Sequence, residues 1–129
     1  MKLIYGKRGK NKWKYAKVEF ANDGIAQNNI IVLSSEINRM THNFGFGYFM
    51  NVPRDYMLGF KDDKLFEKRC RELSDYSGIV FHGVDNIDEK ILKLAENRIN
   101  VIRSSMMFSI VVLQQSNAND EFDIKIKSR

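Results

Sequence analysis

An α/β domain with a mostly parallel, three-layer sheet is the fold this sequence predicts, and three observations predict it. Short apolar runs recur along the chain: Leu3-Ile4-Tyr5, Ile30-Ile31-Val32-Leu33, Ile79-Val80-Phe81-His82 and Phe108 to Leu113. Segments with helical spacing separate them, from Lys12 to Ala21, from Lys64 to Tyr76 and from Asp88 toward Arg103. The runs are continuous rather than alternating, as expected of strands covered on both faces. With 129 residues the chain reads as one domain, able to bury well over half of its unfolded surface around a single core.

The elements follow in order. Leu3-Ile4-Tyr5 is stopped by Gly6, and a basic loop with a further glycine, Gly9, leads to Lys12 to Ala21. There Trp13, Ala16, Val18 and Phe20 offer an incomplete helical face. Asn22-Asp23-Gly24 ends the helix, because glycine accepts positive φ without a Cβ clash. Ile30 to Leu33 is the second strand and runs into Ser34-Ser35-Glu36. Ser35 to Phe44 turns weakly helical, with Ser35 as N-cap and Ile37, Met40 and Phe44 on one side. The glycine- and aromatic-rich stretch from Phe44 to Phe60 reads as an irregular loop or short hairpin broken at Pro53. Lys64 to Tyr76 is an amphipathic helix on which Leu65, Phe66, Arg69, Cys70 and Leu73 alternate with charges. After the strand Ile79 to His82, Asp88 can cap a helix carrying Ile91, Leu92, Leu94, Ala95 and Ile99. Phe108 to Leu113 then ends in Gln114-Gln115, and the turn Asn117 to Asp120 leads to an alternating strand with Phe122, Ile124 and Ile126, suited to a sheet edge. The expected order is β-α-β-α-β-α-β-β.

Composition narrows the function classes. The lone cysteine, Cys70, has no partner for a disulfide and no His/Cys cluster around it for zinc, which fits a reducing, cytoplasmic setting. Cys70 reads as an inert helix residue, since no base or triad can be proposed for it. No run approaches the length of a membrane span, and the basic N-terminal stretch lacks the apolar core of a signal peptide. A soluble protein without a membrane role is expected. The net charge of +5 favours an anionic partner, whether nucleotide, nucleic acid or acidic protein. The charge is concentrated at Lys7, Arg8, Lys10, Lys12 and Lys14, with a second patch at Lys125, Lys127 and Arg129. Richness in Lys, Asn and Ile suggests an AT-rich source genome, as in many phages.

The first loop carries the most specific pattern. A phosphate-binding loop of the form G-x-x-x-x-G-K-[ST] would occupy Gly6, Lys7, Arg8, Gly9, Lys10, Asn11, Lys12 and Trp13. The first glycine and the lysine are present, whereas Asn11 replaces the second glycine of the motif and Trp13 the hydroxyl residue. Taken with Ile30 to Leu33 leading into Ser34-Ser35-Glu36-Ile37, with Ile79 to Asp88, and with Gln114 or Gln115, the chain resembles the RecA-like branch of the P-loop NTPases, which includes the hexameric replicative helicases. That resemblance implies that Glu36 helps position an attacking water, that His82-Gly83 or Asp85 stands at the Walker B tip, and that Gln114 or Gln115 reads the γ-phosphate. It implies ATP with Mg²⁺ as the ligand of an active member. The departures imply loss of that chemistry, because Trp13 cannot ligate magnesium and the acidic pair is missing from the strand tip. Asn11 can adopt the left-handed conformation, so the loop shape can survive.

The expected phosphate-binding set is therefore Gly6, Gly9, Lys10, Asn11 and Lys12. Lys7, Arg8, Lys14, Phe46, Tyr48, Phe49 and Arg54 form the expected surface for a protein partner or for nucleic acid. Each also has a plainer reading. Lys12 and its basic neighbours serve equally as solvated lysines at a helix start. Glu36 suits a first helical turn through the dipole, and Asp85 and Asp88 suit turn and cap chemistry. His82 reads as a core histidine, and with His42 the only other one, no metal site is expected. The aromatic segment Phe44 to Phe49 can fill core, dock a protein or stack on bases. The resulting expectation is a degenerate P-loop protein, phage- or mobile-element-encoded, without catalytic residues or cofactor, that binds a protein partner and modulates a nucleic-acid-processing or defence machine. The alternatives are a residual NTPase using ATP and Mg²⁺ with Glu36 or Asp85, and a small single-stranded nucleic-acid binder.

Overall fold

The computed structural model describes residues 1–6, 12–34, 48–51, 63–82, 89–104, 106–115 and 124–128. Its elements are β1 (Lys2–Gly6), α1 (Lys12–Asn22), a 3-10 turn (Gln27–Asn29), β2 (Ile30–Ser34), β3 (Tyr48–Asn51), α2 (Asp63–Leu73), β4 (Gly78–His82), α3 (Glu89–Arg103), β5 (Ser109–Gln115) and β6 (Ile124–Ser128). The strands form one sheet in the order β3-β2-β4-β5-β1-β6. All neighbours from β3 to β1 are parallel, and β6 pairs antiparallel with β1 at the edge. The α/β class, the mostly parallel sheet and the C-terminal edge strand are as the sequence predicts.

Helices cover both faces. Ile4, Ile30, Val32, Val80, Val111 and Leu113 point to one side, where they pack with Trp13, Ala16 and Phe20 of α1 and with Ile25. Ile31, Leu33, Ile79, Phe81, Ile110 and Val112 point to the other, against Cys70 and Leu73 of α2 and Leu92, Ala95 and Ile99 of α3. Successive residues of each central strand thus serve opposite cores, which is why these runs are apolar without alternation. Ion pairs fasten the layers: Lys2 of β1 meets Glu19 and Asp23 at the end of α1, and Arg98 of α3 makes a two-pronged bond to Glu67 of α2. The hydrogen bond from Lys2 to Glu19 raises the lysine pKa, and the Arg98 bond lowers that of Glu67.

Helix α1 stops in a Schellman arrangement. Ile25 N–H bonds to Phe20 O and Gly24 N–H to Ala21 O, with Gly24 at φ +74°. Phe20 and Ile25, joined by that turn, enter the same core cluster.

Four expectations need correction. Val18 is half exposed and leaves the α1 face to Trp13, Ala16 and Phe20, because it lies on the far side of the helical wheel from that stripe. Leu94 is likewise exposed on α3, one residue away from the buried Ala95. Within the stretch expected to be loop or hairpin, Tyr48–Asn51 is a strand parallel to β2, so it is reached by a crossover and not by a tight turn. Helix α2 ends at Leu73 instead of Tyr76: Ser74 Oγ accepts the last-turn geometry by donating to Arg71 O, and Tyr76 N–H bonds to Leu73 O as the chain turns toward β4. The helix expected at residues 35–44 and the turn at 117–120 lie outside the described residues.

One buried charge organises the amino-terminal edge of the sheet. Arg103, the last residue of α3, is 7% exposed. Its Nη1 donates to Ser74 O at 2.7 Å and Tyr76 O at 2.9 Å, its Nη2 to Met107 O at 3.0 Å and Ser77 Oγ at 3.3 Å, and its Nε to Met106 O at 3.4 Å. The guanidinium thereby ties the α2–β4 turn to the α3–β5 turn, where Ser104 takes a positive φ of 49°.

Replacing Arg103 by Lys should cost about 3 kcal/mol, since a compact ammonium cannot serve carbonyls on both turns and leaves buried acceptors unpaired. Urea unfolding checks this, and a change below roughly 0.5 kcal/mol would refute the clamp. A Cβ at Gly78 would lie 2.7 Å from Ile30 Cγ1, 3.0 Å from Phe20 Cε1 and 3.2 Å from Ile25 Cγ2. Gly78→Ala should therefore destabilise by about 1–3 kcal/mol through overpacking. Gly24→Ala, where nothing lies within 4 Å, should cost only the backbone strain of positive φ, roughly 1–2 kcal/mol.

Candidate anion site at the carboxyl edge of the sheet

The register brings five strand ends to one edge. Gly6 pairs with Gln115, His82 with Leu113 and Ser34, and Ser34 with Asn51. In open parallel sheets ligands sit outside the carboxyl ends of the strands, where successive connections leave for opposite faces. Here the connection from β1 leads to α1 on one face and the connection from β4 leads to α3 on the other, with β5 between them. The strand ends at Gly6, Gln115 and His82 mark that switch point.

Helix α1 begins beside these strand ends with Lys12 and Trp13. Lys12 is 9% exposed, and no acidic residue stands in the first turn of the helix. A cation at a helix start opposes the helix dipole, whereas an anion there is favoured. Trp13 is 5% exposed and belongs to the core cluster with Val80 and Leu113. Its ring lies 4.9 Å from the His82 imidazole, centroid to centroid, with the planes tilted by 49°. The side chain at the hydroxyl position of the motif thus packs on the side chain at the tip of β4. Neither indole nor this ring contact supplies the hard oxygen ligands that magnesium requires.

The expected site residues divide as follows. Gly6, Lys12, Trp13, His82 and the end of β5 at Gln114 and Gln115 share the edge. Gln114 and Gln115 are the last strand residues rather than a tail after it, since the ladder with β1 continues through Tyr5 and Gly6. Lys14 is exposed on α1. Tyr48 and Phe49 lie on β3, four strand spacings from β1, or about 19 Å at ~4.8 Å per spacing. Through Ile31 and Val32 they are level with the amino-terminal ends of β4 and β5, so they lie away from the Gly6 edge along the strands as well as across the sheet. Lys125 and Lys127 lie on β6 opposite Tyr5 and Leu3, one strand beyond β1. Lys7, Arg8, Gly9, Lys10, Asn11, Glu36, Phe46, Arg54 and Asp85 lie outside the described residues.

Cys70 is fully buried between α2 and the sheet. Burial first, and the Glu67 carboxylate second, push its thiol up to about 11, while Arg98 pulls the other way. A thiol in that state is not a nucleophile. Among the described residues no group of His, Cys, Asp and Glu is arranged to hold a metal ion, and no helix is long and apolar enough to cross a membrane.

Sequence reasoning missed the pairing of Trp13 with His82 and the clamp at Arg103. Strand parity puts His82 on the same face as Val80, but only the position of α1 shows that this is the Trp13 face. For Arg103 the one available signal was a basic residue in the last turn of a helix.

Comparisons with protein-family models, with curated proteins and with solved structures found no match to this chain.

Trp13→Ser would place a hydroxyl at that position but empty a core site, and should destabilise the protein by about 3–5 kcal/mol. Urea unfolding followed by circular dichroism measures it. Cys70 gives a pH test. Its folded pKa is raised above the ordinary value of 9.0, so its contribution is full below pH 9.0 and is lost as pH rises toward about 11. The stability difference between the wild type and Cys70→Ala should therefore shrink across that window, and an unchanged difference would refute the assignment.

Proposed function

We propose that this chain is a non-catalytic, P-loop-like binding protein that holds an anionic group at the carboxyl edge of its sheet without metal-dependent turnover. The observation that carries the reading is the contact between Trp13 and His82 beside the buried Lys12. The lysine of the motif is kept where an anion is favoured, while the positions that would engage magnesium hold an aromatic pair. The parallel sheet with a switch point between β1 and β4 supports the same reading. Its role, on this reading, is regulatory and cytoplasmic. It acts on a protein partner within a nucleic-acid-processing or defence machine, as a subunit-like scaffold that docks without turning over. The net positive charge of +5 supports an acidic or nucleic-acid-bearing target.

Equilibrium binding of a fluorescent ATP analogue, in excess EDTA and in excess Mg²⁺, to the wild type and to Lys12→Ala tests the reading. The expected result is binding equal within about twofold in the two conditions, lost on Lys12→Ala, with no phosphate release from ATP. Trp13 is the only tryptophan and lies beside Lys12, so its emission gives a second readout in the same titration. Magnesium-dependent hydrolysis abolished by Lys12→Ala would overturn the proposal in favour of a residual NTPase. Absence of binding in either condition would overturn the anion site. Tight binding to single-stranded nucleic acid that collapses with salt would instead mark a phosphate-backbone binder.

A further inference from the structure

We draw no further inference here: the strongest candidate, the groove of about 390 Å³ between the α2–β4 turn and the end of α3 lined by Asn29, Ser74, Asp75, Ser77, Arg103 and Met106, carries nothing because the Arg103 guanidinium directs its N–H groups at the chain's own oxygens and nothing in the structure shows what covers the exposed Met106 and Met107 beside it.

Discussion

A parallel sheet has to be covered on both faces, and the position of nearly every described side chain follows from that requirement. The central strands β2, β4 and β5 send Val32, Val80 and Val111 to α1 and send Leu33, Phe81 and Val112 toward α2 and α3. Each fully buried side chain of this size contributes about 1.5–3 kcal/mol, so slipping one strand by a single residue would exchange its two faces and misplace several such contributions at once. Gly78 marks how tight the fit is. Its missing side chain is what lets Phe20, Ile25 and Ile30 close over the start of β4.

The same covering requirement shapes the candidate site. For α1 to seal its face of the sheet, the first turn must bury an apolar group over the ends of β4 and β5, and Trp13 does so against Val80, Leu113 and His82. An indole buried in this way is worth several kcal/mol to the fold. A magnesium ligand at the same position would contribute little to folding and would have to stay accessible. On the proposed P-loop-like reading, packing occupies the place that metal chemistry would need, and Lys12 stands one residue earlier at the helix start.

The two edges of the sheet have separate tasks. At the amino-terminal edge Arg103 fastens two turns through carbonyl and hydroxyl oxygens. At the carboxyl edge the strand ends converge with the start of α1, and the polar groups of the candidate site lie there. On the proposed reading, Arg103 bears on stability and Lys12 on binding. Trp13 belongs to both.

The sequence by itself determined the class of fold, because continuous apolar runs such as Ile30 to Leu33 and Ile79 to Phe81, separated by helical spacing, are compatible with little besides a covered parallel sheet. It also determined the edge strand β6, through alternation of Ile124 and Ile126 with lysines, and the glycine stop at Gly24. The loop motif placed Gly6, Lys12 and Trp13 in one segment, but their setting was not legible. Whether Trp13 faces solvent or core depends on which face α1 covers, and that is fixed by contacts with strands far away in sequence. The strand at Tyr48–Asn51 was hidden for a related reason: four residues of edge strand have too short a pattern to register, and pairing with β2 supplies what propensity does not. The role of Arg103 was decided by tertiary structure, since a basic residue in a last helical turn does not show that the oxygens it binds come from two separate turns that only the folded chain brings together.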